Sequence, residues 1–409
     1  MKIKFLSIVL FLASGFLATA NKDSLSYSAG YANDVFYSTK TGVVSTTARA
    51  TWDIAFSTYK MSSSIIINDG SGVELYSYPN SDTSGWSSVD TSNMSTWSPM
   101  RNSEETWEDG AFSAYASGHP DYGWAVYNSV THNLIGDSLF VIKLIDGSLK
   151  KMWIISKQSA LSKYTFRFAN IDGTNDTTVV LDCNPYSTKN YVYYSLSSRQ
   201  LLDREPAKDS WDLLFTKYIA AQPSGGFYTV TGVLSNNGVE VAKASQIDTT
   251  IVNWADFSMS DFRSVIGWDW KAFSMTTFSY QVADSLVYFI KNIDGEIYKL
   301  RFTGFAGSST GKVYLTKNML SATAINAAEK NYSFKIFPNP ANENISIQPN
   351  ADFGNNSAIT IFDVNGKIVF YKSNILQNEN INVSEFSKGL YFVKLENKSL
   401  VSFNKLIVN

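Results

Sequence analysis

Two histidines and one cysteine are all that this 409-residue sequence offers in imidazole and thiol chemistry. The single thiol, Cys183, allows no internal disulfide, so packing must hold the chain together, and the residue reads as buried and inert. With only His119 and His132 there is no His-Glu-x-x-His zinc motif, and a Ser-His-Asp triad would have to recruit one of these two. No Gly-x-Ser-x-Gly elbow is present. The stretch Gly307-Ser308-Ser309-Thr310-Gly311-Lys312 is one residue short of phosphate-loop spacing, with Val313 where a hydroxyl is needed. Charged residues are scarce at 17%, the net charge is −2, and no basic run could track a phosphate backbone, which sets nucleic acid aside as a partner. After the N-terminus no apolar run approaches the ~20 residues of a transmembrane helix. Enzyme chemistry therefore has little support, and no transmembrane segment is expected.

What the chain has in quantity is aromatic and β-branched side chains, with aromatics at 14%. Residues 1–20 read as an export signal: a basic Met1-Lys2-Ile3-Lys4, an apolar Phe5 to Leu17, and a small-x-small Ala18-Thr19-Ala20. No cysteine follows the cleavage point for lipid attachment. Beyond it the sequence alternates short strands with turn signals. Phe140 to Ile145 and Leu149 to Ile155 flank Asp146-Gly147, which suits a tight hairpin because glycine accepts positive φ. No long window keeps a helical period, and the alanine-rich Ser321 to Lys330 reads as a linker.

One pattern occurs twice. Val35-Phe36-Tyr37-Ser38, Trp52-Asp53-Ile54-Ala55-Phe56, Asp137-Ser138-Leu139 and Ile145-Asp146-Gly147 return as Val192-Tyr193-Tyr194-Ser195, Trp211-Asp212-Leu213-Leu214-Phe215, Asp284-Ser285-Leu286 and Ile293-Asp294-Gly295. The organisation expected is a signal over 1–20, a first module over 21–183, a second over 184–320, a linker over 321–331 and a compact tail over 332–409. The first copy holds an extra excursion between about Asn68 and Trp124. The Trp-Asp pair reads as scaffold, with the indole in the core and the carboxylate accepting backbone donors at the strand end.

The tail carries Phe337-Pro338-Asn339-Pro340-Ala341, then Ile361 to Val369 with a turn at Gly366, then Gly389-Leu390-Tyr391-Phe392-Val393-Lys394, and a closing Lys405-Leu406-Ile407-Val408. It closely resembles the type A C-terminal sorting domain of the Bacteroidetes type IX secretion system. The resemblance implies a small immunoglobulin-like β-sandwich, with Pro338, Asn339, Pro340, Gly366, Gly389, Tyr391 and Lys405 as the sorting signal. It also implies passage through the periplasm, recognition by the secretion machinery, and a secreted or outer-surface location.

The duplicated part resembles a second family. Trp52-Asp53-Ile54-Ala55-Phe56 followed by Asn68-Asp69-Gly70, then Trp124-Ala125-Val126-Tyr127, Thr131-His132 and the 140–155 hairpin, are similar to segments of the HmuY-like haem-binding proteins. The second copy follows with Trp211-Asp212 and Asp294-Gly295-Glu296-Ile297-Tyr298-Lys299. The fold class expected is therefore all-β, with two tandem HmuY-like modules ahead of the sandwich.

The resemblance implies haem as a ligand, and because both histidines lie in the first copy the site is expected in the first module. His119 and His132 are the candidate iron donors, Met100 (or Met94) the fallback thioether, and Trp124 and Tyr127 belong to the aromatic surroundings, with Trp97, Trp107, Phe112, Tyr115 and Tyr122 nearby. Aligning Trp124 with Trp270 sets His132 opposite Phe278, so the second copy lacks that donor. The acidic run Glu104, Glu105, Glu108 and Asp109 reads as a solvated loop. Two readings stay open: a non-enzymatic haem- or porphyrin-binding protein, and a surface adhesin or structural protein binding glycan or protein through aromatic β-faces.

Overall fold

The computed structural model describes residues 21–250, 253–321, 334–349, 357–364, 366–375, 379–397 and 401–409. The export signal and the linker expected at 321–331 fall outside these, except for Ser321 at the end of a strand. Those before 324 form one compact unit and those after it a second. Strands dominate throughout, joined by turns and single 3₁₀ turns.

The repeated landmarks form strands, but the strands cross between the copies. Asn33–Ser38 of the first copy pairs with Leu213–Ala221 of the second, setting Tyr37 opposite Leu213, Phe36 opposite Leu214 and Val35 opposite Phe215. Tyr191–Ser195 of the second pairs with Ile54–Ser57 of the first, setting Tyr194 opposite Ile54, Tyr193 opposite Ala55 and Val192 opposite Phe56. The two registers are equivalent position by position. Asn21–Ser26 extends the exchange by pairing with Lys312–Ser321 at the edge of a five-stranded sheet.

Packing follows the same crossing. One core gathers Ile54, Phe56, Phe112, Trp124, Phe140, Ile154, Tyr164 and Phe166 of the first copy with Val192, Tyr194 and Leu196 of the second. The other gathers Leu213, Phe215, Val241, Trp270, Tyr288 and Phe302 of the second with Leu25, Tyr27, Val35 and Tyr37 of the first. The boundary expected at 183/184 thus runs through shared sheets, and the two copies are not separate compact units. The reason is edge completion: a strand leaves unpaired donors and acceptors, and each copy's first strand satisfies those of the other.

The Trp-Asp pair locks this exchange from both sides. The Asp53 carboxylate accepts Leu196 N–H at 2.7 Å, and Asp212 accepts Thr39 N–H at 2.6 Å. Trp52 packs edge-on against Tyr193 at 4.9 Å, and Trp211 against Phe36 at 5.0 Å. Asn68 Nδ2 donates to the Trp52 carbonyl and Asn236 Nδ2 to that of Trp211. A buried charge adds a copy-specific tie. Asp34 accepts from Arg49 at 2.7 Å, Arg204 at 2.8 Å and the Thr216 hydroxyl at 2.6 Å.

The excursion of the first copy closes the seam. Trp107 donates from Nε1 to the Ser235 carbonyl at 2.8 Å, and the Arg263 guanidinium lies over its ring at 4.4 Å. Glu104 accepts Ala221 N–H, and the Glu105 carbonyl accepts Arg263 N–H at 2.8 Å. Gly70 approaches the second copy so closely that a Cβ there would meet the Lys217 carbonyl at 1.9 Å. The acidic run is thus a strap between the copies, in which Glu104 reaches across while Glu105, Glu108 and Asp109 stay exposed as expected of a solvated loop.

The second unit stacks a three-stranded sheet on a four-stranded one around Ile345, Ile347, Ile359, Ile361, Tyr391, Val393 and Leu406. Asn339, between Pro338 and Pro340, donates to the Lys405 carbonyl at 2.7 Å and accepts Ile407 N–H at 2.9 Å, which fixes the final strand. Tyr391 donates to the Ser387 carbonyl, and Gly366 turns with φ 79°. Gly389 opens the strand Gly389–Glu396.

Candidate functional site

His132 sits at the end of the turn between the strands Ala125–Asn128 and Asn133–Gly136. Asn128 builds that turn: its side chain accepts Val130 and Thr131 N–H at 3.0 and 2.9 Å, and its carbonyl accepts His132 N–H at 2.8 Å. This leaves His132 in the left-handed region, φ 58°. His119 arrives on the preceding loop. There the Asp121 carboxylate accepts Ser117 N–H and Gly123 N–H, and Tyr127 N–H donates to the Pro120 carbonyl at 2.8 Å, pinning the loop along the hairpin.

The result is a small cluster centred on Tyr127. The His119 ring lies 5.1 Å from the Tyr127 ring and the His132 ring 6.0 Å from it, so both imidazoles flank one phenol. The Tyr127 hydroxyl is 2.5 Å from His132 Nδ1, and the Tyr122 hydroxyl is 3.4 Å from His119 Nδ1. Each histidine therefore has Nδ1 occupied by a tyrosine and Nε2 without a partner among the described residues. Both imidazoles are exposed, while Tyr122 and Tyr127 are half-buried. Val126, Val130 and Ile135 add exposed apolar surface on the same hairpin.

Not every residue expected here is here. Trp124 is fully buried in the first core with Nε1 donating to the Ser63 carbonyl at 2.9 Å, and Met100 is 3% exposed in the same core. Neither presents a surface to a ligand: Trp124 lies just ahead of the strand Ala125–Asn128 with its indole held in the core, whereas Val126 within the strand is exposed. Phe112 is core as well. Trp97 packs with Tyr76 and Tyr78, Met94 lies against that cluster, and Trp107 is in the strap.

The second copy repeats the hairpin as Lys271–Ser274 and Ser279–Val282. Phe278 occupies the left-handed position of His132, φ 49°, and Phe273 the position of Tyr127, so the fold recurs without the donors. Burial pushes Cys183 up to about 12 and brings Lys157 down to about 8, and neither lies in the histidine cluster.

Residues 187–318 match the HmuY protein family, and residues 335–409 match the secretion system C-terminal sorting domain. The chain thus contains one HmuY domain, in the second copy, and a type IX sorting tail; the two histidines lie ahead of the matched HmuY residues. The tail implies export to the outer surface or secretion. No helix among the described residues is long and apolar enough to cross a membrane. No curated protein matches the chain. Among solved structures, the extracellular domain of a hybrid two component system from B. thetaiotaomicron is similar at 10% identity, over 72% of this chain and 45% of that one, with a TM-score of 0.14. This chain spans less than half of that protein, and a likeness of this size carries no argument.

Proposed function

We propose that this protein is a non-enzymatic binder of haem or a related porphyrin, exported to the cell surface or beyond, and that the first copy holds the iron through His119 and His132. The observation that carries this reading is the state of the two imidazoles. A metal-binding histidine commonly donates its other ring N–H to a fixed acceptor, which sets the tautomer and aims the free lone pair. Tyr122 and Tyr127 stand in that place for His119 and His132, leaving Nε2 of each as the available donor. Tyr127 itself is an oxygen donor of a kind that also ligates haem iron. When bound, the iron would supply the ligand affinity, and the protein's part is to hold the donors and offer Val126, Val130 and Ile135 as apolar contact. The HmuY domain in the same unit supports the ligand class.

Titration of the purified protein with ferric haem tests this directly. A Soret shift that saturates near one equivalent is expected, and it should vanish in His119→Ala/His132→Ala. Tyr127→Phe should weaken it severalfold by releasing His132 Nδ1. A full-strength shift in the double variant would move the site elsewhere, and no shift in the parent protein would end the haem reading.

A further inference from the structure

The seam between the copies opens into a cleft of about 840 Å³, lined by no residue of the histidine hairpin and within the ~300–1,000 Å³ usual for ligand pockets. One wall is the loop after Ile54–Ser57, which presents Tyr59, Lys60 and Met61. Buried Lys157 holds this loop, donating to the Tyr59 carbonyl at 2.8 Å and to that of Ser62. Lys208, Asn237 and Ile293 come from the second copy, and Trp107 and Tyr191 stand between. Tyr59 is 65% exposed and Met61 76%, an apolar edge carried on an anchored loop.

The charges in this cleft are unbalanced. Lys189 is paired with Asp203, and Glu108, the one carboxylate in the lining, accepts Ser63 N–H at 3.2 Å. Lys60 and Lys208 form no ion pair among the described residues. On the other side of Thr106 and Trp107 lies a smaller cleft of about 310 Å³ that shares Asn237 and Gly238 but carries Glu105, Glu240 and Asp261. An anionic ligand is attracted to the first and repelled by the second.

Neutral groups complete the lining. The side chains of Ser187 and Asn237 have no hydrogen-bond partner among the described residues, so both are free for a ligand's hydroxyls. We propose that this cleft binds an acidic oligosaccharide, a chain of hydroxyl-rich rings bearing carboxylates. The C–H face of a sugar ring suits the Tyr59 ring, whose quadrupole is negative on its face. Lys60 and Lys208 take the carboxylates as charge-assisted contacts. A bare inorganic anion would leave the aromatic and amide surface idle, and a neutral glycan would leave the ammoniums idle. The inference does not depend on haem binding.

Calorimetric titration of the full protein with tetragalacturonate, and with its methyl ester, tests it. The acid form is expected to bind at least tenfold more tightly than the ester and to weaken as salt is raised. Lys60→Ala/Lys208→Ala and, separately, Tyr59→Ala should each lower affinity tenfold or more with an unchanged urea midpoint, while His119→Ala/His132→Ala leaves it unaltered. No heat with tetragalacturonate, equal affinity for the ester, or unchanged affinity in the lysine double variant would each overturn the proposal.

Discussion

Cutting the chain between its two sequence repeats should unfold both halves. Residues 21–183 lack Val192, Tyr194 and Leu196, each buried in the first core. At ~1.5–3 kcal/mol per buried apolar side chain, that removes about 4.5–9 kcal/mol before the lost strand pairing is counted. Residues 184–320 lack Leu25, Tyr27, Val35 and Tyr37, about 6–12 kcal/mol on the same basis. Domains of this kind are stable by only about 5–15 kcal/mol, so either loss is comparable to the whole. Residues 49–205 carry the first core with its exchanged strand Tyr191–Ser195, and this piece should fold. The assay is urea unfolding followed by tryptophan fluorescence and near-ultraviolet circular dichroism. Fragment 21–183 should show no cooperative transition and fragment 49–205 a sharp one, while mixing 21–183 with 184–320 should restore structure. A cooperative transition in isolated 21–183 with a midpoint near that of the intact protein would refute the exchange as a source of stability.

Asp34→Ala should cost about 3–5 kcal/mol in the same assay, because it strands Arg49 and Arg204 in the interior. Burial pushes the Asp34 carboxyl up, but Arg204, Arg49 and Thr216 together hold it below its ordinary value. Its folded pKa is therefore depressed: the stabilisation is complete above the ordinary carboxylate range and is lost as pH falls from there through the lower folded value. Acid unfolding of Asp34→Ala should be correspondingly less steep than that of the parent protein. Cys183 is 1% exposed with its thiol pushed up to about 12, so a maleimide should leave it unmodified in the native protein and label it fully in urea. Rapid labelling of the native protein would contradict that burial.

The local features were legible because each has a local cause. Asp146-Gly147 turns where expected, with Gly147 at φ 84°, because only the turn residues are needed to read it. The histidines were legible as chemistry but not their company. By sequence proximity Trp124, Met100 and Trp107 are equivalents of Tyr127, whereas the first core takes Trp124 and Met100 and the strap takes Trp107. Two local signs did point to the cluster: Asn128 as a turn-builder four residues before His132, and a spacer of only five residues, Pro120 to Trp124, between His119 and the hairpin.

Strand partnership was hidden for a deeper reason. An alternating pattern fixes which face of a strand is buried and leaves its partner open. Here the ambiguity is compounded by the repeat. Tyr37 could lie opposite Ile54 of its own copy or Leu213 of the other, and both offer a β-branched or branched aliphatic neighbour followed two residues later by Phe56 or Phe215. Only residues that differ between the copies can break the tie. Asp34 finds Arg204 and Thr216 across the exchange, and its equivalent, Tyr191, finds the Trp107 carbonyl and Ser64. Exchanging the two, as Asp34→Tyr/Tyr191→Asp, keeps composition constant while removing both sets of partners. The repeat would then pair no better across copies than within them, and the double variant should lose cooperativity more than the sum of its single changes.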